Sequence, residues 1–110
     1  VPRAMLPKVR PSSGIFGEID EGWLGAPIPI AGCAGDQQSS AFAHGCDNAG
    51  DAKTTYGTGA FLLESTGTTP VLNAEGLLAT PACTRESDSG PQSYCLEGSV
   101  FAAGALVGWL

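Results

Sequence analysis

Basic residues are scarce in this 110-residue chain: 5 Lys and Arg stand against 11 Asp and Glu, with one His, for a net charge of −6. A surface that grips a phosphate backbone needs clustered Lys and Arg, so nucleic acid is not an expected partner. Long apolar runs are lacking as well. The longest, residues 100–110, contains Gly104 and Gly108 and is far short of the ~20 residues that cross a bilayer as a helix. No membrane partner is expected. Cysteines are few, and Cys33, Cys46, Cys83 and Cys95 include no CxxC pair. The opening "VPRAMLPKVR" has no apolar stretch ahead of a small-residue cleavage site. Small buried thiols and a cytoplasmic location are the matching expectations.

Several motifs are absent too. There is no GxxxxGK[ST], no GxGxxG and no GxSxG, which removes the Walker loop, the dinucleotide fingerprint and the hydrolase elbow. His44 with Cys33 and Cys46 is poor material for structural zinc, which takes four ligands at tight spacings. Internal repeats and low-complexity tracts are missing.

The chain does have 43% apolar and only 15% charged residues, enough for one small core and unlike a disordered tail. It is too short for two well-buried cores. It starts on Val1 without an initiator Met and stops inside "GSVFAAGALVGWL", which reads as an apolar helix still running. The expectation is a piece of a longer protein.

Residues 1–27, punctuated by Pro2, Pro7, Pro11 and Pro27, read as extended or looping chain with "RPSSG" as a turn. Residues 28–34 suit a buried strand that starts at or after Pro29. A short helix follows over 37–45, with Asp36 as N-cap and Gly45 just past its end. Residues 53–56 and 60–63 flank Gly57-Thr58-Gly59 as a hairpin whose glycines are free to take positive φ. Residues 64–75 form a polar excursion, 76–83 another strand and "TRESDSGPQS" a loop. "YCLEGSVFAAGALVGWL" moves from a short strand into a helix with Ser99 near its start, apolar nearly all round and therefore expected to be buried.

Asp36 stands at the carboxyl end of a strand, where open α/β sheets place ligands. It can take a proton from a substrate hydroxyl, or it can simply cap the helix. Gln37 and Gln38 beside it are amides suited to polyol hydroxyls, and such amides reject analogues that lack them. Gly57, Thr58 and Gly59 can bring backbone N–H groups and a hydroxyl close to phosphate oxygens, or make an ordinary turn. Gly98 and Gly104 flank the last helix, where glycine is about 0.8–1.0 kcal/mol worse than alanine. Gly104 therefore suggests close approach by another element or by a ligand. Trp23 and Trp109 read as packing residues.

Taken in order, "VPRAMLPKVRPSSGIFG", "IPIAGCAGDQQSSAF", "AKTTYGTGAFLLESTG", "NAEGLLAT" and "YCLEGSVFAAGALVGWL" resemble the FGGY carbohydrate kinases. The pairing of GDQQ with TYGTG resembles the branch that phosphorylates glycerol rather than the sugar kinases of that family. The resemblance implies an α/β chain from the actin-like (ribonuclease H-like) two-domain ATPase fold, spanning the junction of its domains. Residues 1–46 would end the N-terminal domain with its last strand and helix on the glycerol side. Residues 47–110 would open the C-terminal domain with its phosphate-binding hairpin and first helix.

The same resemblance implies transfer of phosphate from ATP to glycerol, giving sn-glycerol 3-phosphate, with ATP and Mg2+ as cofactors and glycerol and ATP/ADP as partners. Asp36 would be the catalytic base and a glycerol contact, and Gln37 a second glycerol contact. Gly57, Thr58, Gly59 and Gly104 would serve the nucleotide. Gly108 stands at a nucleotide-site position where the family often has glutamine. Gly25-Ala26-Pro27 stands where some bacterial members carry a Gly-x-Arg for inhibition by fructose 1,6-bisphosphate. A homo-oligomeric whole is compatible with this reading, and the chain by itself is expected to be inactive. The alternatives are another FGGY sugar or polyol kinase and a non-catalytic module on the same scaffold.

Overall fold

In the computed structural model, which describes residues 1–72 and 75–110, the first elements after a 3-10 turn at Arg3–Met5 are two antiparallel strands. β1 (Ser13–Ile19) and β2 (Ile28–Gly32) are joined through a one-turn helix, α1 (Glu21–Leu24). Asp20 caps α1 by accepting the Gly22 N–H at 2.8 Å, and Gly25 ends it at φ 78, a conformation that glycine takes without strain.

β1 corrects the reading of residues 1–27 as extended or looping chain. Its glycines and the serine pair before them resemble turn chemistry, and pairing with β2 overrides that local preference. β2 begins at Ile28, one residue earlier than expected, with Pro29 inside it opposite Glu18. A strand with a single neighbour leaves one side free for proline's missing N–H. All five β2 residues are exposed rather than buried, because a two-stranded ribbon covers neither of its faces. Residues 84–88, half of the expected loop, join this unit. The Ser13 N–H donates to the Thr84 carbonyl at 3.0 Å and the Glu86 N–H to the Ser13 carbonyl at 2.9 Å.

A second unit holds residues 34–83 and 89–110. It carries α2 (Asp36–Ala43) and a four-stranded antiparallel sheet made of β3 (Ala52–Tyr56), β4 (Ala60–Gly67), β5 (Leu78–Pro81) and β6 (Tyr94–Val100), in the order β3-β4-β6-β5. The period-2 alternation of a strand puts Lys53, Leu63, Ser65 and Cys95 on one buried face. A compact core of Ala41 from α2, Leu63 and Cys95 forms on it, with Cys46 and Ala82 packed against its edge. α2 ends as expected. Gly45 takes φ 69, its N–H reaches the Phe42 carbonyl at 3.0 Å, and the Cys46 N–H reaches the Ala41 carbonyl at 3.0 Å. That is the pairing by which a left-handed glycine satisfies a helix's last carbonyls.

Residues expected as a polar excursion continue β4 as far as Gly67, while Asn73 and Ala74, in that same stretch, lie outside the described residues. The last helix also differs from expectation. β6 runs through Ser99 to Val100, with Gly98 inside the strand, and α3 (Ala105–Trp109) starts only after that. In this chain α3 buries none of its residues. Trp23 and Trp109, read as packing residues, are 83% and 80% exposed. Among the described residues no helix is long and apolar enough to cross a membrane.

The thiols do not share one environment. Cys95 is buried, Cys46 and Cys83 are half-buried, and Cys33 is exposed, which corrects the expectation of four buried thiols. Burial pushes the Cys95 thiol up, and the neighbouring Cys46 and Cys83 push it the same way. A raised thiol pKa favours the protonated, folded form. Its contribution to stability is therefore full below the ordinary thiol range and is lost as pH rises above it. In the native protein at pH 8, a disulfide reagent such as Ellman's is expected to label Cys33 first and Cys95 only on unfolding. Mass mapping of the labelled peptides checks this, and early labelling of Cys95 would contradict the buried placement.

Candidate active site

The site is built where α2 meets β3, within the second unit. Gly35, at φ −63 and ψ 149, is the N-cap of α2, and Asp36, expected as the cap, is its first helical residue, so the helix starts one residue earlier than expected. The Asp36 Oδ1 accepts the Gln37 N–H at 2.8 Å. A carboxylate in the first turn faces the positive end of the helix dipole, and this one is exposed and open to an incoming group. Asp36 thus braces the helix start and still presents an oxygen outward.

Gln37 is half-buried and turned toward β3. Its Oε1 accepts from Lys53 Nζ, and from Thr55 Oγ1 at 3.3 Å. Lys53 Nζ also donates to Thr55 Oγ1 at 2.8 Å, closing a triangle of polar groups. Gln38 behaves differently, since its Nε2 donates to Thr80 Oγ1 on β5 at 3.4 Å. The two adjacent amides therefore divide, one held by β3 and one tied to the far edge of the sheet.

Lys53, 6% exposed, is a residue of this candidate site that sequence reasoning missed. The strand register reveals it: Lys53 keeps phase with Thr55 on β3 and lies opposite Leu63 on β4. A lysine in phase with a buried leucine is a lysine facing the core.

The Gly57-Thr58-Gly59 turn comes next along the chain, and Gly57 lies two residues past Thr55, a strand rise of roughly 7 Å. Neither glycine uses positive φ, contrary to expectation; the glycines that do are Gly25, Gly45, Gly50, Gly67 and Gly76. The turn needs glycine for closeness instead. A Cβ on Gly59 would fall 2.6 Å from the Val100 carbonyl oxygen, and one on Gly104 would fall 2.5 Å from the Gly57 carbonyl oxygen. The Gly104 N–H donates to that Gly57 oxygen at 2.8 Å, and the Ala103 N–H donates to the Thr58 carbonyl at 2.7 Å.

The element that approaches Gly104 is thus the turn itself, and the structure brings Gly57, Thr58, Gly59 and Gly104 together. Thr58 is exposed, and among the described residues neither its N–H nor its hydroxyl has a partner. Gly108 is not joined to the turn, and open space surrounds its Cβ direction.

No family model matches the chain. Individual proteins do. It is 56% identical, over all 110 residues, to a glycerol kinase of Thermus brockianus, and 51% identical, again over all 110, to a glycerol kinase of Agathobacter rectalis. Over its whole length the chain is similar to one segment of glycerol kinases. It spans 22% of the length of those relatives. Among solved structures, the crystal structure of Plasmodium falciparum glycerol kinase with ADP matches 97% of this chain and 21% of its own, with a TM-score of 0.86 at 39% identity. The α/β arrangement described above is accordingly a piece of the actin-like ATPase fold of glycerol kinases.

Proposed function

We propose that the protein to which this segment belongs transfers the γ-phosphoryl group of ATP to glycerol. The observation that carries the reading is the sharing of β3 by two groups of residues. At one point the strand holds the amide of Gln37, next to the exposed carboxylate of Asp36. Two residues on, it enters a glycine-bracketed turn whose threonine has an unused N–H and hydroxyl. Phosphoryl transfer is mostly positioning and charge stabilisation, so an acid-and-amide end and a phosphate-cradling end on one strand suit it.

In this reading Gln37 and Asp36 hold glycerol hydroxyls. Asp36 accepts the proton of the attacking hydroxyl as the new phosphorus–oxygen bond forms and the bond to the leaving ADP oxygen breaks. Gly57, Thr58 and Gly59, pressed against Gly104, offer backbone and hydroxyl donors to the nucleotide phosphates. The ADP in the Plasmodium structure is in keeping with that half of the site. Mg2+ would supply charge neutralisation across the phosphates when bound. Among the described residues no three acidic, His or Cys groups converge on one point. The same reading keeps residues 1–46 as the end of one domain and 47–110 as the start of the next, in a cytoplasmic enzyme.

The test is a substrate profile of the whole protein with ATP, comparing glycerol with longer polyols and with pentoses and hexoses. Glycerol should lead in kcat/KM by about a hundredfold or more, the discrimination that a site built on hydroxyl-binding groups can reach. Preference for a sugar would overturn the assignment.

A further inference from the structure

We propose that Lys53 is a positioning residue that sets the direction of the Gln37 amide and thereby the donor offered to the substrate; this rests on the reading of Gln37 as a glycerol contact. Lysine has only protons to give. The Thr55 hydroxyl, which already accepts from Lys53, has its single proton left for Gln37. Both neighbours of the amide are therefore donors, and the Gln37 atom that faces them has to be oxygen. Nε2 then points away with its two protons, and among the described residues no protein group takes either of them. A free amide would be degenerate between its two flipped states, whereas this one presents N–H outward, a donor matched to a hydroxyl oxygen.

The burial of Lys53 supports a role of this kind over a purely architectural one. The side chain is 6% exposed, directly across the sheet from Leu63 at 1%. Among the described residues no carboxylate pairs with it. Placing an ammonium there against neutral oxygens is expensive, and a methionine would fill the same space at lower cost. What the lysine adds that methionine cannot is a donor fixed against Oε1.

The experiment uses the whole protein and the variants Lys53→Met, Thr55→Val, Gln37→Ala and the double variant Lys53→Met with Gln37→Ala. The readouts are KM for glycerol, KM for ATP and kcat, with thermal midpoints measured in parallel. Lys53→Met is expected to raise the glycerol KM about tenfold, and Thr55→Val about threefold, in line with losing one donor to a buried acceptor. The ATP KM should stay within about twofold. In the Gln37→Ala background Lys53→Met should cost nothing more in glycerol KM, because the residue acts only through that amide.

Additive losses, or a raised ATP KM with the glycerol KM unchanged, would overturn the proposal. The latter result would mean that the ammonium touches phosphate. If Lys53→Met does not fold, the cycle between Thr55→Val and Gln37→Ala decides in its place. A wild type that phosphorylates a different polyol would defeat the glycerol assignment alone. The same cycle, run on that polyol, would still judge the clamp.

Discussion

Asp36→Asn is expected to lower kcat for glycerol phosphorylation by about 10²–10⁴-fold, the usual worth of a positioned general base. Asparagine is the right substitution because it separates the proposed role of base from the bracing of the helix start. Its side-chain oxygen can still accept the Gln37 N–H that Oδ1 takes at 2.8 Å, and asparagine is well tolerated at helix starts. The thermal midpoint and the ATP affinity should therefore hold close to wild type. The amide cannot accept the proton of an attacking hydroxyl, so the loss should fall on turnover rather than on nucleotide binding. Activity within a few-fold of wild type would mean that Asp36 is only the brace of α2.

The second large effect concerns the turn. Gly104→Ala would place a methyl group 2.5 Å from the Gly57 carbonyl oxygen and 3.3 Å from its carbonyl carbon, and Gly59→Ala would place one 2.6 Å from the Val100 carbonyl oxygen. These neighbours are backbone and cannot rotate aside, so the turn and the start of α3 must separate. Strain of this kind typically costs about 1–3 kcal/mol. It also moves Thr58, so the ATP KM should rise about tenfold or more while the glycerol KM changes little.

Two other glycines serve as stability controls. Gly57→Ala meets nothing closer than the Gly59 carbonyl at 3.9 Å, and Gly108→Ala meets nothing within 4 Å. Both should fold normally, and the second should favour α3 slightly, since alanine is the better helix former. Should Gly104→Ala and Gly59→Ala shift the thermal midpoint but leave the ATP KM alone, nucleotide phosphates do not rest on this turn.

The elements that were legible are those with strong local chemistry. α2 is announced by the acid before it and the glycine after it, and only the identity of its cap slipped by one residue. The β3–β4 hairpin is announced by two β-prone runs around a glycine pair. The misses have one cause. β1, with glycines at 14 and 17, has no pattern of its own and exists because β2 lies alongside it. The polar residues that continue β4 toward Gly67 are strand because β6 pairs with them as far as Tyr94. Residues 99 and 100 look like the approach to a helix and are instead the end of β6, paired with Phe61 and Ala60. Cross-strand partners distant in sequence decided each case.

The site divides in the same way. The carboxylate at 36, the amide at 37 and the glycine-flanked threonine at 58, the groups proposed for the site, are adjacent in sequence to the signals that single them out. The sequence by itself was enough to propose them and, through its resemblance to FGGY kinases, to point to a polyol kinase. Gly104 carried a sequence signal without an explanation, and folding supplied one: a carbonyl from 47 residues earlier lies where its side chain would be. Lys53 carried no signal that composition could raise, because a lysine on a strand is ordinarily a solvated residue. Only the register of β3 against β4 turns it inward onto Gln37, since the face a strand residue occupies is set by pairing across the sheet and not by the residue itself.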